Sequence, residues 1–201
     1  MVTLDRPREV WNPPLIEGAV VQLRRHRLDD LPHVRRWYRD RELARLTRYS
    51  LSPMSDEDID RFFHGRLMSP ENVAYAIVVR ASARLIGLTT FSNLDPDNGS
   101  VLFHISIGEP DAWGQGYGTE ATRLMLRQAF ESIGLHRVAL SVFSFNERAI
   151  RSYLKAGFRA EGRAREAIVR DGQRFDELTM GILAPEWLAR RERRERRSSL
   201  E

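Results

Sequence analysis

Hydrophobic and polar positions change rhythm several times along the chain, and the changes mark out its expected elements. Val20-Val21-Gln22-Leu23 is rich in β-branched residues and reads as a first strand. Leu28, Leu31, Val34, Trp37 and Tyr38 then recur at helical spacing, with Asp29 and Asp30 in the first turn, which predicts a helix over 28–46. A second helix is expected over 55–68, capped by Ser55 with Asp58 three residues on and an apolar face of Ile59, Phe62, Phe63 and Leu67. From residue 73 the rhythm is that of strands. Runs at 74–79, 85–91 and 101–107, joined by polar connections such as 95–99, predict an antiparallel meander. A helix over 119–132 follows, burying Ala121, Leu124, Met125, Ala129 and Phe130. Next come a strand over 138–142 and a helix over 147–155 closed by Gly157. A hairpin of 162–169 and 175–183 turns at Asp171-Gly172, and Pro185 opens a last helix.

Strands and helices intermingle in this series without a regular βαβ repeat, so the fold class is α+β rather than a doubly wound sheet. The expected organisation is one domain over 18–187, behind an irregular lead-in over 1–17 and ahead of a basic helical tail over 188–201.

Composition narrows the function classes. No stretch approaches the roughly 20 apolar residues that span a bilayer, and the N-terminus lacks a basic-then-apolar layout. A soluble cytoplasmic protein without a membrane partner is expected. With no cysteine in the chain, disulfides, thiolate metal sites and a cysteine nucleophile are excluded, and no metal is expected. The net charge of +4 equals that of the segment 190–197 alone, so the remainder sums to zero. The plain reading of that segment is a solvated helix end. The sharper one is a nucleic-acid contact confined to the tail.

The most suggestive local feature lies between the strand at 101–107 and the helix that follows it. In Trp113-Gly114-Gln115-Gly116-Tyr117-Gly118-Thr119 the glycines open directly into a helix. First-turn N–H groups lack intrahelical partners and carry the positive end of the dipole, and glycines let a pyrophosphate approach the backbone. The G-x-G-x-G spacing is neither the dinucleotide fingerprint nor a P-loop, since no acidic residue stands at the right distance and no lysine follows. Glycines alone fit tight packing equally well.

A second stretch, Asn146-Glu147-Arg148-Ala149-Ile150-Arg151-Ser152-Tyr153-Leu154-Lys155-Ala156-Gly157-Phe158, starts a helix directly after a strand. Asn146, Ala149 and Tyr153 fall along one face, leaving a groove for a thin, extended ligand. Taken singly, Asn146 reads as an N-cap and Tyr153 as a core aromatic.

Together, I-x-I-G-x-x-x-x-W-G-x-G-x-G-T-E-A at 105–121, N-E-R-A-I-R-S-Y-L-K-A-G-F at 146–158 and E-G-R-A-R-E at 161–166 resemble the GNAT superfamily of acyl-CoA N-acyltransferases. Within it they look most like the RimJ/RimL-type ribosomal-protein N-acetyltransferases. The resemblance covers about residues 18–187 and implies a mixed, mostly antiparallel, V-shaped sheet flanked by helices, with acetyl-CoA as cosubstrate. It places pantetheine against the backbone of Ile105, Ser106 and Ile107, and the pyrophosphate on N–H groups of Gln115, Gly116, Tyr117, Gly118 and Thr119. Asn146 and Ala149 line the same groove. Trp113 stands where the superfamily pattern usually has Gln or Arg.

The resemblance gives Tyr153 the role of proton donor to the departing sulfur, since a phenol is protonated at neutral pH. For the base, His104 shares a strand face with Ser106, and Glu109 lies just beyond; a lone histidine in an apolar strand is otherwise a core residue. Ser141 and Ser144 are lesser candidates. Three functions follow: acylation of a protein N-terminal α-amine, acylation of a small amine (polyamine, amino acid or antibiotic), or non-catalytic acyl-CoA binding. The helices at 28–46 and 55–68 and the hairpin near 171 are expected to build the acceptor pocket. A second copy of the chain is a further candidate partner.

Overall fold

The computed structural model describes residues 12–198. Among these, eight strands form one sheet: β1 (Leu15–Glu17), β2 (Val21–Arg24), β3 (Ala74–Val79), β4 (Arg84–Asp95), β5 (Ser100–Ile107), β6 (Arg137–Phe143), β7 (Arg159–Arg170) and β8 (Gln173–Leu183). The helices are α1 (Leu31–Arg39), α2 (Arg41–Thr47), α3 (Asp56–Phe62), α4 (Tyr117–Arg127), α5 (Glu147–Ala156) and α6 (Ala184–Ser198). Wider π-helical turns extend α3 over Phe63–Leu67 and α4 over Gln128–Ile133.

The sheet runs β1-β2-β3-β4-β5-β6-β8-β7, and the one parallel junction is β5–β6. A parallel neighbour requires a crossover, which α4 supplies. That junction is short: only Ser100↔Arg137, Val101↔Val138 and Leu102↔Ala139 pair. Beyond Leu102 the strands part, β5 staying on β4 as far as Gly87↔Ile107 and β6 on β8 as far as Phe143↔Glu177. The sheet is therefore mixed, mostly antiparallel and V-shaped, as the resemblance implied.

Side-chain alternation assigns the two faces. Leu88 pairs with Ser106 and Thr90 with His104, so these share a face. Leu88 belongs to the core made with Val34, Trp37, Ile59 and Phe63, beneath α1 and α3. Phe103, Ile105 and Ile107 join the larger core with Met125, Leu126, Tyr153 and Phe158, beneath α4 and α5.

The structure departs from the expected elements in two places. The described part of the lead-in is not irregular: β1 pairs with β2, and the Tyr75 hydroxyl donates to Asn12 Oδ1 at 3.0 Å. Three residues are too few to show a strand's alternation in sequence. The helix expected over 28–46 breaks at Asp40, whose backbone is extended and whose side chain accepts from Leu43 N–H at 2.8 Å, starting α2 afresh. The last helix runs as expected: α6 continues through the tail as far as Ser198, and the final three residues lie outside the described part. Trp187 Nε1 donates to Glu131 at 2.9 Å and Arg191 pairs with it at 3.0 Å, fastening the base of α6. The hairpin turns as expected, with Asp171 and Gly172 at φ 51 and 76, the left-handed pair a type I′ turn requires. No described helix is long and apolar enough to cross a membrane.

Candidate active site

A cavity of about 1010 Å³ passes through the opening of the V. Gly114, Gly116, Gly118 and Thr119 bound it at one end; Tyr38, Phe62, Arg66 and His104 bound it on the opposite face of the sheet. A ligand threaded through the gap would present one end to each face.

The glycine turn is built as an anion seat. Gly114 and Gly116 adopt φ of 77 and 88, and a Cβ at either would enter open space. Gly116 is the residue before α4, and no side chain caps that end of the helix. The one acid in the first turn, Glu120, is drawn away to the N–H groups of Ala19, Val20 and Val21. The positive end of an 11-residue helix therefore faces the cavity with no anion of the described residues upon it. These residues fit the pyrophosphate of an acyl-CoA.

Trp113 pins this turn to the sheet, its Nε1 donating to the Ile107 carbonyl at 2.8 Å. That carbonyl is thus engaged by the protein, which removes one acceptor from the stretch expected to pair with pantetheine. The Arg148 guanidinium lies 3.8 Å from the centroid of the Trp113 ring and bridges the turn to α5 across the rim.

The opposite wall is α5. Asn146 Oδ1 accepts from Ala149 N–H at 3.2 Å, and its Nδ2 donates to the Leu46 carbonyl at 3.3 Å, tying α5 to α2. Thr119 and Ser152 hydroxyls, 2.8 Å apart, tie α4 to α5. Two turns into α5, Tyr153 sits edge-on to Phe103 and Phe158 with its ring held at centroid distances of 6.4 and 5.8 Å. The ring is 8 % exposed and lines the cavity. Burial pushes the phenol pKa up, so it stays protonated throughout the working range of pH.

On the other face, His104 Nε2 is in hydrogen-bond contact with Ser92 Oγ at 2.7 Å. Desolvation by the cavity walls, and secondarily the Arg66 cation, lower its pKa below that of a free imidazole. It is therefore neutral at pH 7.

Of the residues expected at the site, the cavity gathers His104, Ile105, Ser106, Ile107, Gly116, Gly118, Thr119, Asn146, Ala149 and Tyr153. Gln115 and Tyr117 are outside its lining. Ser141 lines it, whereas Ser144 accepts from Asp176 N–H at 3.2 Å elsewhere.

Glu109 must be corrected. It is 8 % exposed, outside the cavity lining, and holds Arg36, Arg84 and the Trp37 indole, the last at 2.8 Å. A carboxylate so occupied, outside the cavity, anchors α1 to the end of β5. Glu109→Gln should destabilise the fold by about 2–3 kcal/mol, because the buried network loses its negative charge and one of its two acceptor oxygens. Thermal unfolding would show the loss, with kcat changed far less than by a catalytic substitution.

The sequence offered no local signal for Glu177, Tyr49 or Arg66, which also line the cavity. They come from β8, the α2–α3 connection and the turn after α3, segments far apart in sequence.

The acetyltransferase (GNAT) domain family matches residues 21–159, and the chain belongs to that family. It is 29% identical over 111 residues to the SPbeta prophage-derived uncharacterized N-acetyltransferase YokL of Bacillus subtilis, covering 55% of this chain and 62% of YokL. It is 30% identical over 112 residues to the spermidine N(1)-acetyltransferase of Escherichia coli, covering 56% of this chain and 60% of that protein. In fold it resembles the spermidine N-acetyltransferase of Vibrio cholerae, solved with CoA and spermine, at a TM-score of 0.75 and 22% identity, over 85% of this chain and 99% of the other.

Proposed function

We propose that the chain is an acetyl-CoA-dependent N-acetyltransferase that passes the acyl group directly to a primary amine, in the first reading a protein N-terminal α-amine of the RimJ/RimL type. One observation carries the reading: a single cavity joins an anion-free helix N-terminus, a gap between parted strands and a buried phenol. A small-amine acceptor is the second reading, favoured by the likeness to spermidine acetyltransferases.

When bound, acetyl-CoA supplies a thioester whose carbonyl accepts the amine and whose sulfur departs. The first turn of α4 and the glycines before it hold the phosphate end. The parted edges of β5 and β6 orient the chain between. His104, on the acceptor face, takes a proton from the attacking nitrogen as the C–N bond forms. Tyr153, on the α5 face, donates a hydrogen bond to the sulfur as the C–S bond breaks. Base and donor thus work from opposite faces of the sheet. With no cysteine in the chain, no thiol is available to carry the acyl group in between.

His104 gives this scheme a pH signature. An α-amine has a pKa near 8, so kcat/KM should rise with unit slope up to about that pH as the neutral amine appears. Because the folded pKa of His104 is lowered, its protonation steepens the fall only below about pH 6.5. His104→Gln should remove the steepening and cost roughly 10- to 100-fold in kcat/KM at pH 7. A profile unchanged in shape would leave the proton to solvent.

The reading as a whole is tested by thiol release from acetyl-CoA and longer acyl-CoA thioesters against N-terminal peptides, amino acids and polyamines. Release with one class of amine is the expected result. Tight CoA binding without release for any amine would make the protein a binder.

A further inference from the structure

Many described arginines are matched to carboxylates: Arg24 with Asp30 at 2.7 Å, Arg84 with Asp111 at 2.6 Å, Arg137 with Glu161 at 2.5 Å, Arg159 with Glu186 at 2.8 Å. At the acceptor end of the cavity the two arginines of the lining, Arg48 and Arg66, meet none among the described residues. Arg66, half-buried in the π-helical turn after α3, lines it, and among the described residues its guanidinium has no hydrogen-bond or ion-pair partner. Arg48, in the same lining, donates to the carbonyls of Ser52 and Tyr38, at 2.7 and 3.4 Å, and meets no described carboxylate. Glu177 is the one carboxylate in the lining, and the Tyr49 hydroxyl already donates to it. The other cations of the lining, Arg148, Arg151 and Lys155, lie along α5, at the end that faces the glycine turn.

Two consequences follow from this distribution. A polyamine needs carboxylates to balance its charges, and this chamber offers more guanidinium than carboxylate. A half-buried guanidinium without a partner costs desolvation free energy, which an incoming anion recovers through charge-assisted hydrogen bonds. We propose that the acceptor is an amine that also carries an anionic group, and that Arg66, with Arg48 in the same lining, receives that group and so aims the nitrogen at the gap in the sheet. The inference rests on the acyl-transfer reading. A free amino acid and a peptide N-terminus with an acidic first side chain both offer the required pair of groups.

Thiol release by the full chain with acetyl-CoA tests it on matched acceptors: glutamate against glutamine, alanine against alaninamide, and peptides beginning Asp against the same peptides beginning Asn, with spermidine alongside. Wild type should use the acidic member of at least one pair about 10- to 100-fold better in kcat/KM, the range expected of one charge-assisted contact. The amino-acid and peptide arms tell a small acceptor from a polypeptide. Arg66→Gln should bring the ratio close to one, chiefly through the KM of the acid, and Arg66→Lys should restore part of it. Should R66Q fail to fold, the wild-type ratio decides by itself. Preference for the amide members or for spermidine, or a ratio that survives R66Q, overturns the proposal while transfer itself stands. No release with any amine overturns the transfer reading, and this one with it.

Discussion

Tyr153→Phe is expected to lower kcat by about 100-fold, with little change in the affinity for CoA. The size follows from what the phenol can do. Burial lifts its pKa above the usual value near 10, whereas a thiol lies near 8.5, so full proton delivery to the departing sulfur is uphill. What remains is a hydrogen bond to developing negative charge, worth about 1.5–3 kcal/mol. The ring is positioned by Phe103 and Phe158, contacts that phenylalanine retains, so the fold should hold. The same pKa direction removes any phenolate limb from the pH profile below about pH 10. Pre-steady-state thiol release separates the chemical step from binding; unchanged turnover would take Tyr153 out of the mechanism.

Gly116→Ala should weaken CoA binding by roughly 10- to 100-fold, the equivalent of one lost charge-assisted contact. Its φ of 88 makes any Cβ costly by about 1–2 kcal/mol, and the added methyl would enter the open space against which the phosphates are expected. Gly134 supplies the control. It too has a positive φ, 83, and open space around it, but it ends the π-helical turn after α4 and is outside the cavity lining. Gly134→Ala should share the stability loss and leave CoA affinity alone. Calorimetric titration of CoA into both variants reads the difference; equal affinities would make the glycine turn a packing feature.

The features legible in the sequence were those written in short segments. The amphipathic spacing of 55–67, the Asp171-Gly172 turn and the passage from β5 through glycines into α4 are each decided within about a dozen residues. The V in the sheet was legible only through resemblance, because the three-pair β5–β6 junction joins segments separated by the whole of α4. Glu109 misled because acid next to a glycine turn reads as chemistry. Its partners Arg36, Trp37 and Arg84 come from α1 and β4, and nothing near it in sequence announces them. Arg66 was overlooked for the opposite reason. An arginine on a polar helix face is ordinary, and only the folded chain shows which arginines lack a carboxylate.

The central claim is that one cavity brings thioester and amine together for direct transfer. Rapid mixing of the acetyl-CoA-loaded protein with its best acceptor, quenched and read by mass spectrometry, tests it most directly. The account predicts one thiol released for each amide formed, no acetylated form of the protein at any time, and the same step slowed in Tyr153→Phe. An acetylated protein that forms and decays at the rate of turnover, or thiol released without amide, would contradict it.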